Sequence, residues 1–304
     1  MFGRDFTSVL DLTPVELTRL LDLALGMKRD GPSPILAGQT LALIFEKPSL
    51  RTRTSFELAM LRLGGRALYL SHQEVQMGER EPVKDVARVL SRMVQGIAAR
   101  TYAHATIEEL ARHASVPVVN ALSDEEHPCQ ALADLLTLRE RFGALRGLKI
   151  AYIGDGNNVA RSLAYACVMA GVELVIAAPA GYELPAETIA IARTLPGQGT
   201  VSQVREPFEA ARGATALYTD VWASMGFEHE AAQRAEDFRG YQIDAALIAA
   251  APVGVLVMHD LPAHRGEEIS DEAIESPNSV VFDQAENRMH AQQAVLASIL
   301  GGAR

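Results

Sequence analysis

The run Thr40-Leu41-Ala42-Leu43-Ile44-Phe45 passes directly into Glu46-Lys47-Pro48-Ser49-Leu50-Arg51-Thr52-Arg53-Thr54-Ser55-Phe56-Glu57. A short apolar run of this kind reads as a strand covered on both faces. Pro48 cannot extend that strand. Beyond it, Phe56, Leu58, Ala59, Leu61 and Leu63 have the spacing of one helical face, and Gly64-Gly65 ends it. A buried strand that feeds a helix calls for a parallel neighbour, because the helix is the crossover back to the same sheet edge.

The same alternation continues along the chain. Strands are expected at 40–45, 66–70, 96–100 and 116–120, with helices near 52–63, 83–94 and 105–114. Thr13-Pro14-Val15-Glu16 opens an N-terminal helix with a cap, a first-turn proline and a capping-box acid; Leu17, Leu20, Leu21 and Ala24 form its apolar face. A helical pattern covers 129–142. A second series starts with Leu148–Ile153 and continues with strands near 172–177, 200–204, 214–218, 254–257 and 280–282, closing on a helix near 285–300. The expected architecture is therefore α/β: two Rossmann-like domains with parallel sheets, 1–130 and 145–283. The helices at 131–144 and 284–304 bridge them.

Composition narrows the function classes. The 304 residues are 48% hydrophobic and 22% charged, with a formal net charge of −10. That balance argues against a nucleic-acid surface, which needs a basic face. An anionic ligand would have to be held by local arginines. No apolar run approaches a membrane span and the N-terminus lacks a signal pattern. With only Cys129 and Cys167 present, a disulfide framework is excluded and a cytoplasmic location is expected.

In open parallel sheets, ligands bind beyond the carboxyl ends of the strands. The 46–57 junction places Ser49, Thr52 and Thr54 hydroxyls and the Arg51 and Arg53 guanidiniums at a helix N-terminus, a combination suited to a phosphate. Arg100 closes the strand 96–100. His127 and Gln130, in His127-Pro128-Cys129-Gln130, start a helix after the next strand, where both can donate to a carbonyl or phosphoryl oxygen. Gly154-Asp155-Gly156 begins like a dinucleotide fingerprint, but Val159 stands where the third glycine belongs, which discounts a nicotinamide cofactor. Asn157 and Asn158 offer amides or cap the next helix, and Asp220 ends a strand ahead of Val221–Gly226. His259, Asp260 and His264 match no closed metal-site spacing, so no metal is expected. Arg288 opens the last helix as a further anion ligand.

In this order along nearly the whole chain, the 49–53 cradle, Arg100, His127–Gln130, the 220–226 stretch and the 283–288 stretch resemble the ornithine carbamoyltransferase family. The resemblance implies transfer of the carbamoyl group of carbamoyl phosphate to the δ-amine of L-ornithine, giving citrulline and phosphate. It also implies no organic cofactor, and a cytoplasmic homotrimer or assembly of trimers. By the same resemblance, carbamoyl phosphate would be bound by Ser49, the Leu50 backbone, Arg51, Thr52, Arg100, His127, Gln130, Leu261 and Arg288, with Gln76 lent by a neighbouring subunit. Asn158, Asp220, Ser224 and Met225 would bind ornithine. Arg100, His127, Gln130 and Asp260 would be the catalytic set.

One position departs from the family pattern. Where the family usually has His-Cys-Leu-Pro, this chain reads His259-Asp260-Leu261-Pro262. A carboxylate there faces a dianionic substrate, and two unit charges 4 Å apart at an effective dielectric near 20 cost about 4 kcal/mol. A shifted pH optimum or a weaker ornithine KM is the expected consequence where Asp260 faces the substrate; where it turns away and its partners compensate, activity is unaltered. Two alternatives stand beside the ornithine reading: a carbamoyltransferase for another amine (putrescine or an acylated ornithine), and a catalytically impaired paralogue.

Overall fold

The computed structural model describes residues 1–224 and 228–302. The chain divides into two compact units, Met1–Leu136 with Glu286–Arg304, and Thr137–Ala285. Both divisions fall inside helices, Pro128–Phe142 and Val281–Leu300.

In the first unit, β1 (Thr40–Phe45), β2 (Arg66–Ser71), β3 (Gly96–Arg100) and β4 (Val118–Leu122) form a parallel sheet in the order β2-β1-β3-β4. The chain leaves β1 toward one side and returns to pair β3 on the other, so the topological switch lies between β1 and β3. Phe45 and Arg100 are paired at that end. The helix Leu50–Arg62 packs through Thr52, Ser55, Phe56, Ala59 and Met60, an i, i+3, i+4, i+7, i+8 stripe, and all five are buried. Gly64, at φ +77°, ends it where a side chain would be strained. One face of the sheet is closed by Ala42, Ile44, Ile97, Ala99 and Val118 against Val83, Val86, Ile107 and Leu110.

In the second unit, β5 (Lys149–Ile153), β6 (Glu173–Ala177), β7 (Thr200–Val204), β8 (Ala216–Thr219) and β9 (Leu256–His259) form a parallel sheet ordered β7-β6-β5-β8-β9. The switch here lies between β5 and β8. Its core gathers Ala151, Ile153, Leu217, Val257, Leu247, Ile269 and Val281.

Four of the expected strands depart from the sequence reading by two residues or more at an end. The strand expected at 116–120 is 118–122, because Pro117 has no N–H and the Val118 N–H is taken by Asp5 Oδ1 at 2.8 Å. The strand pairs with Phe6 through Val119 instead. Strands expected at 214–218 and 254–257 lie at 216–219 and 256–259, which moves His259 into β9 and leaves Asp220 just past β8. The strand expected at 280–282 is the start of the last helix. Val280, Val281 and Phe282 favour a strand by composition, but the Val280 carbonyl accepts from Gln284 N at 2.8 Å, the first helical bond.

Gly156 follows β5 where the chain touches a neighbouring segment. A Cβ there would lie 2.2 Å from the Leu184 nitrogen and 2.5 Å from the Glu183 carbonyl carbon, both backbone atoms that cannot rotate away. Gly156→Ala is expected to destabilise the protein by about 2–3 kcal/mol through overpacking, read as a lowered urea midpoint. An unchanged midpoint would show that segment 183–184 gives way freely.

Candidate active site

In the first unit, the site is assembled on the switch point. Ser49 caps the helix Leu50–Arg62, its Oγ accepting from Thr52 N at 3.2 Å. Leu50 begins that helix with its side chain exposed, so only its backbone is available to an anion at the helix N-terminus. Thr52 is fully buried, and two guanidiniums converge on its hydroxyl: Arg288 Nη2 donates to Oγ1 at 2.5 Å and Arg100 Nη1 at 3.3 Å. Arg100 reaches this place because it ends β3, where its carbonyl also accepts from Glu46 N at 2.9 Å. Two like charges buried at one hydroxyl beside a helix N-terminus form a strongly positive focus that an anion would neutralise.

His127 lies against this focus. Its carbonyl accepts from Gln130 N and Ala131 N, and Pro128 occupies the first position of the helix, where the missing N–H costs nothing. Its Nε2 is 3.4 Å from Arg288 Nη2. A guanidinium has no acceptor, so Nε2 accepts and the proton sits on Nδ1. Burial, then the charges of Arg288 and Arg100, hold the imidazole well below its usual pKa, so His127 is neutral near pH 7 and acts as a hydrogen-bonding group. Gln130 is fully buried and donates from Nε2 to Asp134 Oδ1 at 2.8 Å, leaving a second N–H on the same nitrogen. Burial pushes the neighbouring Cys129 thiol up to about 12, so it is no nucleophile.

Other cradle candidates separate. Arg51 is half-buried in the first turn. Arg53 and Thr54 are exposed. Arg53 pairs with Glu57 at 2.9 Å and stacks 3.8 Å over Tyr69, so the helix turns it out of the cradle that the sequence assigned it to. Gln76 is exposed, in left-handed backbone at φ +48°.

In the second unit, polar groups gather past β5, β8 and β9. Asn157 caps the helix Asn158–Ala170: its Oδ1 accepts from Val159 N and Ala160 N, while Nδ2 donates to Asp220 Oδ2 at 2.7 Å and Ser224 Oγ at 3.3 Å. Asn158, the amide preferred from sequence, stands at the first helical position with its Oδ1 accepting from Val159 N. The residue tied to Asp220 is therefore Asn157. The double amide signal was present, but the helix phase that separates cap from first turn was not. Met225 lies outside the described residues.

Asp220 and Asp260 are both buried, and a carboxylate oxygen of each lies within 4.8 Å of the other's. Asp220 Oδ1 accepts from Val221 N at 2.8 Å. Burial, then the charge of Asp260, raise the Asp220 pKa well above the usual carboxylate range. His259 lies beside them but is committed. Its Nδ1 accepts from Leu261 N at 2.8 Å, and its Nε2 therefore carries the proton toward Glu268 Oε1 at 2.9 Å. With both ring nitrogens used, Asp220, His259 and Asp260 lack the nitrogen ligand of a transition-metal site. Arg234 braces the surrounding segments, donating to Asp155 Oδ2 at 2.7 Å, the Trp222 carbonyl at 2.8 Å and Glu230 Oε2 at 2.9 Å.

Comparison with known proteins accounts for both halves. Residues 4–140 match the carbamoyl-P binding domain of aspartate/ornithine carbamoyltransferase, and residues 146–299 match its Asp/Orn binding domain. An ornithine carbamoyltransferase of Gloeobacter violaceus is 51% identical over 303 residues, covering 99% of this chain and 97% of that protein. The structure of ornithine carbamoyltransferase from Pyrococcus furiosus superposes with a TM-score of 0.95 at 48% identity, covering 100% of this chain and 99% of that one. The Thermus thermophilus enzyme gives 0.91 at 49% identity, covering 99% and 100%.

Proposed function

The chain belongs to the aspartate/ornithine carbamoyltransferase family, and we propose that it is an ornithine carbamoyltransferase, converting carbamoyl phosphate and L-ornithine to L-citrulline and phosphate. The observation that carries the reading on this chain is the convergence of Arg100 and Arg288 on buried Thr52 beside neutral His127. Names of relatives about half identical over nearly their whole length support ornithine as the acceptor.

In this reading Ser49, the Leu50 N–H, Arg51 and Thr52 hold the phosphate. Arg100, His127, Gln130 and Arg288 surround the carbamoyl group. The neutral δ-amine attacks the carbamoyl carbon, charge builds on the carbonyl oxygen, and fixed donors stabilise it without reorganising. The C–O bond to phosphate then breaks. The nitrogen loses its proton once the attack has made it acidic, with the Asp260 carboxylate or the departing phosphate as acceptor. Asp220, Asn158, Ser224 and Met225, joined by Asn157, bind the α-amino acid end, and Leu261 contributes to the carbamoyl pocket. No covalent enzyme intermediate is needed; orientation supplies much of the rate.

The wider biology is part of the same proposal: a cytoplasmic enzyme of arginine biosynthesis, working as a homotrimer or an assembly of trimers. Gln76 would then serve a neighbouring subunit's site, which its exposure allows. Among the described residues no helix is long and apolar enough to cross a membrane.

Citrulline formation is the test, with L-ornithine, putrescine, N-acetylornithine and L-aspartate offered in parallel with carbamoyl phosphate. Turnover selective for ornithine is expected. Selective turnover of another amine would reassign the acceptor, and no turnover with any of them would overturn the reading.

A further inference from the structure

Asp260 has a peculiar set of neighbours. It is 8% exposed, and among the described residues it meets no cation and no donor N–H; its contact is the carboxyl of Asp220. The two acids are brought together by the sheet: Thr219 and His259 are register partners at the ends of β8 and β9, and Asp220 and Asp260 are the next residues on each. Two buried carboxylates this close cannot both ionise without a cation between or beside them.

The described residues around the pair do not supply that cation. Asn157 Nδ2 and Val221 N–H are neutral donors, both to Asp220, and Ser224 is neutral. His259 offers no positive charge while Nδ1 accepts from Leu261 N. Arg234 spends its charge on Asp155 and Glu230. Charge balance is thus left to a proton or to a ligand.

We propose that Asp220 and Asp260 form a carboxyl pair sharing one proton, and that the α-ammonium of the acceptor amino acid displaces that proton when it binds. The proposal rests on the ornithine reading and deepens it. The exchange balances: the protonated pair and an ammonium enter, the dianionic pair with its ammonium remains, and one proton leaves to solvent. Because the bound state holds fewer protons, acceptor affinity rises with pH until the free pair is fully ionised. The pair titrates as a unit, so the effect belongs to neither residue alone.

Calorimetry of L-norvaline binding tests it, with the protein saturated in carbamoyl phosphate. Norvaline has the α-amino acid end but no δ-amine, so no turnover occurs and no δ-proton is counted. Titrations at pH 6 to 9 in buffers of different ionisation enthalpy give the protons released. The wild type is expected to release on the order of one proton per site near pH 6 and progressively less toward pH 9. Asp260→Asn removes the second carboxyl and is expected to release clearly fewer protons than the wild type, burial alone still acting on Asp220. Asp260→Cys, which also removes the second carboxyl, is expected to behave likewise and guards against misfolding of one variant. Equal release by wild type and both variants would overturn the pair. Binding without this proton release, in protein that makes citrulline, would overturn the pair and leave the ornithine reading standing. Absence of norvaline binding, with citrulline still formed, would overturn the pair alone; absence of both would overturn the two together.

Discussion

Arg288→Ala is expected to lower kcat/KM for carbamoyl phosphate by about 10²–10³-fold, the scale seen when one preorganised donor to a developing oxyanion is removed. Arg288 is 2% exposed and reaches Thr52 Oγ1 at 2.5 Å, so truncation removes a buried charge rather than a surface one. Its loss also acts on His127. The imidazole is held neutral first by burial and next by Arg288, so removing that guanidinium lets the His127 pKa rise toward its usual value. A new acidic limb should then appear in the kcat/KM profile, as a fraction of His127 becomes protonated and loses its acceptor at Nε2. Arg288→Lys keeps a charge but not the planar fork, and should fall between wild type and alanine. Steady-state kinetics on both substrates across pH, with circular dichroism to verify folding, decide the matter. A change smaller than threefold in the alanine variant would remove Arg288 from the reacting centre.

The parts of this site that were legible in the sequence are those carried by local pattern. Ser49 as a cap, Thr52 in the first turn and Arg100 at a strand end follow from where an apolar run stops and a helical period begins. Their common target does not. Thr52 and Arg288 are 236 residues apart, and nothing in either neighbourhood announces the other; that pairing came through resemblance. The resemblance offered Asn158 for the ligand, whereas the amide that meets Asp220 is the helix cap Asn157, because cap and first-turn positions share composition but not direction. Arg53 shows the converse: it has the right chemistry one residue beyond Thr52, yet the helix carries it round to Glu57 and Tyr69. The three residues 280–282 look like a strand on propensity alone, yet the bond from Gln284 N to the Val280 carbonyl makes them a helix start. Asp260 was visible as a departure from the family pattern, but its meeting with Asp220 depends on strand order and register. Adjacent strands β8 and β9 are separated by a long connection, and pattern reading does not supply their alignment.

That meeting also governs the second large expected effect. Asp220→Ala should raise the ornithine KM about 10²-fold while leaving the carbamoyl phosphate KM nearly unchanged, since truncating one partner of a buried charge pair costs several kcal/mol and the anion cradle belongs to other residues. Asparagine substitutions refine the expectation. Asp260→Asn removes the charge that acts after burial to hold a proton on Asp220, so less proton is displaced by the ammonium and the ornithine KM near pH 6 should stay level or fall. Asp220→Asn leaves Asp260 as the remaining carboxylate, displaced from the Asn157 donor, and should weaken ornithine less than alanine does. The double Asn variant has no carboxylate to meet the ammonium. Its KM should therefore rise well beyond the product of the two single effects, a coupling expected of groups that share one proton and absent from independent contacts. Initial rates for the four proteins at pH 6 and pH 8 measure that coupling; simple multiplication of the two single effects at both pH values would mean the carboxyls act separately.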